Sequence, residues 1–256
     1  VYHLGDYYML VVNASNIKKN FDWLSSQMIE DVSLEDQSGT TSLLAFQGPL
    51  SRLYLKKLYP NIEKLNYYET LLPDKDEVIV ARTGYSGELG FEIYAPNTII
   101  LKLWNEILSL SDDILPVGLG CRDSLRLEMG YCLYGNELNE QTTTIEAGLS
   151  WITKHETSFI GSNAMKNNLP SKKLIALISE ERAIPRSGYK LFSKDKKEAG
   201  VVTSGGMSPC LKKGIALAYV DYEMRFEKEF LIGIRDNFFI FEKTKLPFYK
   251  DGTYLK

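Results

Sequence analysis

Apolar residues along the chain recur in two rhythms, and their alternation predicts the order of elements. Tyr7 to Val12 (YYMLVV) is a run of β-formers, and Ser15-Asn16 then supplies N-cap chemistry for a stretch with Ile17, Phe21, Leu24 and Met28 at helical spacing. Strand followed by amphipathic helix is the expectation. The pattern returns with Thr41 to Phe46 as a buried strand, Gly48-Pro49 as turn and helix start, and Leu50, Leu53 and Leu58 along one helical face. A third round begins with the strand Glu77 to Arg82, passes through the glycine-punctuated Thr83 to Gly90, and comes back as Phe91 to Ala95. Asn97 then caps a helix reaching Leu110, with Ile100, Leu101, Trp104, Ile107 and Leu108 on its apolar side. The first two thirds of the chain therefore reads as α+β.

Beyond Ile160 the texture changes. The polar, Pro-containing stretch Lys166 to Lys173 reads as a linker, and after it come only short β-type runs: 174–179, 189–192, 199–204, 214–220, 229–235 and 237–242. Their spacing predicts a small antiparallel barrel or sandwich. The boundary divides the chain into 1–167 and 168–256, and no internal repeat is visible.

Composition narrows the function classes. The 256 residues carry 30 Lys plus Arg against 33 Asp plus Glu, a net charge of −3, with 44% hydrophobic residues, the balance of a globular protein. Without a Lys/Arg-rich block, neither a nucleic acid nor an anionic membrane is expected as partner. Cys121, Cys132 and Cys210 are three in number with no C-x-x-C pair, which points away from a disulfide framework or zinc knuckle and toward a reducing compartment. Only two histidines occur, His3 and His155, both read as surface residues, so a His-based triad is disfavoured and no metal site is expected. Gly118-Leu119-Gly120 lacks the third glycine of a dinucleotide fingerprint, and no Walker or G-x-S-x-G motif is present. The chain opens on Val rather than Met, from which an upstream segment that was cut, processed or omitted is expected.

Three segments carry candidate chemistry. In Arg82 to Ile93 (RTGYSGELGFEI), three glycines join two strands, and alternation puts Glu92 on the face opposite Phe91 and Ile93. That position suits either a solvated hairpin carboxylate or the floor of a pocket. In Gly118 to Leu138, Arg122 and Arg126 share a helical face and Asp123 pairs with Arg126 at i,i+3, the pattern of an ion-paired helix surface. In Ile184 to Tyr189, Arg186 sits in a turn at the entry to the β region as a weak anion-site candidate.

Taken together, RTGYSGELGFEIY, PVGLGCRDSLRLEMGYCLYGNEL and AGVVTSGGMSPCLKKGIALAYV closely resemble the T-protein family of the glycine cleavage system, the aminomethyltransferases. The resemblance runs collinearly from Tyr8 to Tyr249. It implies a folate-binding cloverleaf of three domains whose last is a small β-barrel. It also implies transfer of the methylene of an aminomethyl group, carried on the dihydrolipoyl arm of H-protein, to tetrahydrofolate as 5,10-methylenetetrahydrofolate, with release of ammonia and with P- and L-proteins in the same system. By the same resemblance Glu92 matches the pterin-binding glutamate and Tyr85 an aromatic contact. Arg122 and Arg186 match arginines for the folate's anionic tail or the approaching partner, Asn13 an asparagine near the catalytic centre, and Tyr254 a C-terminal tyrosine of the site. The family's catalytic aspartate is expected about three residues ahead of Val1, a small upstream domain with it. Its position outside these residues keeps open a non-catalytic folate-binding paralogue, or a folate-dependent demethylase relative. The expected location is the cytoplasm of a bacterium or the mitochondrial matrix of a eukaryote.

Overall fold

The computed structural model describes residues 1–73, 77–154, 156–167 and 169–255; His155 and Asn168 of the linker lie outside them. The chain forms two compact units, one made of Val1–Phe46, Leu50–Thr83 and Gly90–Ile114, the other of Gln47–Pro49, Gly84–Leu89 and Leu115–Lys256.

In the first unit, β1 (Tyr2–Leu4) and β2 (Tyr7–Met9) form an antiparallel two-stranded ribbon turning at Gly5, and α1 (Ile17–Ser26) follows. The strand predicted through Val12 stops at Met9: Leu10, Val11 and Val12 pair with no strand among the described residues and stay exposed. A four-stranded sheet is built from β3 (Thr41–Gln47), β4 (Thr70–Leu71), β5 (Ile79–Ala81) and β6 (Gly90–Pro96), in the order β3-β6-β5-β4. β3 is half-exposed rather than buried: it lies at the sheet edge, where only one side has a neighbour. Between β3 and β4 comes the short helix α2 (Ser51–Leu55), which buries Ser51 and Leu55 and leaves Leu50 and Leu53 of the predicted face exposed, while Leu58, just past the helix, packs partly buried against the core as expected. β6 feeds directly into α3 (Asn97–Leu108), whose buried face is Ile100, Leu103 and Ile107, while Leu101 and Trp104 are exposed. Asn97 begins this helix without capping it; its side chain instead donates to the Gly39 carbonyl and accepts from Ser42. Phe91, Ile93, Val80, Leu55, Ile62 and the α3 face make up the core.

The second unit holds α4 (Leu119–Met129), α5 (Ser162–Asn167) and a closed six-stranded barrel. Its strands are β7 (Lys172–Ser179), β8 (Lys190–Phe192), β9 (Glu198–Met207), β10 (Gly214–Asp221), β11 (Glu229–Ile234) and β12 (Asn237–Thr244), in the closed order β10-β7-β12-β11-β8-β9. Each of the six β-runs read from the sequence became one strand. β10 is buried on both faces, which accounts for its unbroken apolar run: Ala216, Ala218 and Val220 face the barrel core with Leu191, Phe230 and Phe241, while Ile215 and Leu217 pack on Leu127 of α4 and Phe248.

Candidate functional site

The candidate residues fall into both units. In the first, Glu92 lies on β6 between two fully buried core residues, Phe91 and Ile93, and strand alternation turns it to the other sheet face beside Tyr94. Its Oε2 is 3.3 Å from the Tyr2 hydroxyl and 3.3 Å from the Tyr94 hydroxyl, and the two hydroxyls are 3.0 Å apart. The rings meet edge-on with centroids 5.5 Å apart. Burial, with the nearby Glu92 charge adding to it, pushes the Tyr2 phenol up to about 12, and burial raises Tyr94 further. Both phenols therefore stay protonated at neutral pH. Asn13 is exposed just before a short 3-10 turn; its backbone carbonyl accepts the Asn16 N–H at 2.9 Å, and no hydrogen bond among the described residues joins it to Glu92.

In the second unit, Tyr85 stacks on Tyr131, with ring centroids 5.4 Å apart, and its hydroxyl donates to the backbone carbonyl of Cys132. Burial pushes this phenol up to about 12, against the opposing effect of the Arg126 charge. The glycines of this loop have steric reasons: a side chain at Gly84 would run into Gln47, and Gly87 has a φ of 75° with Met129 where a Cβ would go. The C-terminal segment lies on the same loop. Thr253 accepts the Leu89 N–H at 2.9 Å and donates to Glu88, and the Tyr254 N–H donates to the Gly87 carbonyl at 3.3 Å. Tyr254 is thus brought beside the Tyr85 loop.

α4 separates its two arginines. Arg122 is exposed, whereas Arg126 is only 2% exposed, so the reading of this segment as an ion-paired surface holds for Asp123 and fails for Arg126. Arg126 does pair with Asp123, at 2.6 Å, as the i,i+3 spacing predicts. It also reaches Glu137 at 3.1 Å, Ser204 of β9 at 2.8 Å and the Tyr131 carbonyl at 3.2 Å. Glu137, with no exposure at all, accepts from Arg126, the Leu133 N–H, Thr203 and Ser204. Four donors on two oxygens satisfy a charge that would otherwise be costly to bury. Sequence reasoning missed Glu137 and Tyr2, whose partners come from distant segments; Tyr94, two residues from Glu92 on one strand, was readable by alternation. Arg186 is exposed in its turn, its carbonyl accepting the Tyr189 N–H at 3.1 Å.

The three cysteines are free, and burial pushes the Cys132 thiol up to about 11. Among the described residues no group of three or more His, Cys, Asp or Glu side chains could hold a metal ion, and no helix is long and apolar enough to cross a membrane.

Comparison with known proteins gives consistent matches. The profile of the GCVT N-terminal domain matches residues 1–157, and that of the glycine cleavage T-protein C-terminal barrel domain matches residues 172–250. An aminomethyltransferase of Flavobacterium psychrophilum is 41% identical over 262 residues, covering 98% of this chain and 72% of the relative. One from Halothermothrix orenii is 42% identical over 260 residues, covering 97% and 72%. The crystal structure of glycine cleavage system aminomethyltransferase T from Bartonella henselae aligns with a TM-score of 0.85 at 32% identity, covering 95% of this chain and 69% of that one.

Proposed function

Because the chain belongs to the glycine cleavage T-protein family, we propose that it works as an aminomethyltransferase. In this reading it takes up the aminomethyl group on the dihydrolipoyl arm of H-protein, releases ammonia and passes the methylene to tetrahydrofolate. The single observation that carries it is the match of both family profiles together with 41% identity over 98% of the chain.

Tetrahydrofolate, when bound, supplies the nitrogens that accept the methylene. The chemistry of Glu92 suits it: an ionised carboxylate only accepts hydrogen bonds, Oε1 receives no donor among the described residues, and a pterin presents an adjacent ring N–H and exocyclic amino group. We assign Glu92 to the pterin and Tyr85 to an aromatic contact with it. Arg122 and Arg186, both exposed cations, serve the anionic tail or the approaching carrier protein. Asn13 and Tyr254 are assigned the parts of the family's asparagine near the catalytic centre and its C-terminal tyrosine. The functional division falls at 167/168, P- and L-proteins act in the same system, and the setting is a bacterial cytoplasm or, in a eukaryote, the mitochondrial matrix.

The test is ammonia release from aminomethylated H-protein, with and without tetrahydrofolate. Folate-dependent release is expected, and Arg122→Ala should lose turnover while melting like the parent chain. Folate binding with no ammonia release would replace the transferase reading with a binding protein.

A further inference from the structure

Glu92 is held in an unusual way. Three polar contacts close a triangle of Glu92 Oε2, the Tyr2 hydroxyl and the Tyr94 hydroxyl, with sides of 3.3, 3.3 and 3.0 Å. Two phenols bring two protons, and the carboxylate brings none, so only two of the three sides are hydrogen bonds at any instant. Whichever pair forms, at least one phenol donates to Oε2, and the other donates to it or to its neighbour. Every arrangement loads the same carboxylate oxygen. Residue Ala81, opposite Glu92 on β5, contributes no polar side chain, and among the described residues the two phenols are the only donors to this carboxylate. Tyr94 is buried at 4% exposure and cannot turn to water for a partner, so the clamp is built in rather than incidental.

We propose that Tyr2 and Tyr94 are positioning residues that pin Glu92 by Oε2 and so present Oε1 to the pterin's N–H donors. The inference rests on the assignment of Glu92 to the pterin. A free glutamate side chain has several rotamers to lose on binding a ligand; one already fixed by two phenols has lost them during folding, which favours affinity. The phenols touch the carboxylate rather than the ligand, so their effect must pass through Glu92.

That dependence gives the test, a double-mutant cycle read by isothermal titration with 5-formyltetrahydrofolate. Glu92→Gln should weaken binding at least tenfold. Tyr94→Phe and Tyr2→Phe, which keep the ring and remove only the hydroxyl, should each raise Kd by about three- to tenfold, the loss of a charge-assisted hydrogen bond. In the Glu92→Gln background the same substitutions should change Kd by less than about twofold. Equal losses in both backgrounds would show a merely structural role and overturn the proposal, as would tyrosine variants that bind like the parent while Glu92→Gln does not. Should Glu92→Gln itself bind normally, the pterin assignment fails first and the clamp fails with it. Tyr2→Phe, at a residue only partly buried, keeps the cycle readable if Tyr94→Phe melts early.

Discussion

At the scale of single residues, the largest electrostatic commitment is the Arg126–Glu137 pair, both members buried and each fully supplied with hydrogen bonds. A buried pair of this kind adds little net stability against an apolar substitute, but removing one partner strands the other. Glu137→Ala is therefore expected to cost about 3–5 kcal/mol in urea unfolding. Asp123 binds the same guanidinium from a side chain that is 60% exposed, where solvent screens the pair, so Asp123→Asn should cost no more than about 1 kcal/mol. Equal costs would mean that the exposed bridge does as much as the buried one to hold Arg126 in place. The sequence displays the exposed half of this cluster, because i and i+3 meet on any helix. It hides the buried half: Glu137 is eleven positions away through a loop, and Ser204 comes from a strand, so an arginine that shares its helix face with Arg122 and Asp123 reads as solvated.

At the scale of elements, α4 shows how local chemistry sets a boundary. It ends at Gly130, which has a φ of 70°, with the Gly130 N–H donating to the Leu127 carbonyl at 2.8 Å and the Tyr131 N–H to that of Arg126 at 2.9 Å. This double bond pattern is a Schellman cap, and it turns the chain toward Tyr131, the residue stacked on Tyr85. A side chain at position 130 would be strained by the left-handed backbone and would meet Leu246. Gly130→Ala should accordingly lose about 1–3 kcal/mol in denaturant unfolding; a neutral result would show that the cap and Leu246 readjust freely. Strand alternation was the most legible signal, placing Glu92 opposite Phe91 and Ile93. Helical periodicity misled at Leu50 and Leu53 because α2 has only five residues, too few for its apolar spacing to define a face.

At the scale of the whole molecule, protection should follow how completely each strand is paired and covered. The barrel closes without an edge, and β10 sits within it, bonded to β7 on one side and β9 on the other along nearly its full length. Its residues Gly214 to Val220 are all buried. The β1–β2 ribbon has three residue pairs and a single strand-to-strand edge, and Tyr7 and Tyr8 are exposed. Amides that open only with the core exchange slowest, and those in short, one-sided ladders exchange by local fraying. Hydrogen exchange followed by mass spectrometry should therefore find β10 the last to label and the β1–β2 ribbon among the first. A ligand that engages Glu92 through the Tyr2 clamp ought to slow exchange in β1, since Tyr2 belongs to that strand and binding to the folded state suppresses its opening. Folate-dependent protection confined to the barrel, with β1 unchanged, would separate the ligand from Glu92 and from the tyrosines that hold it.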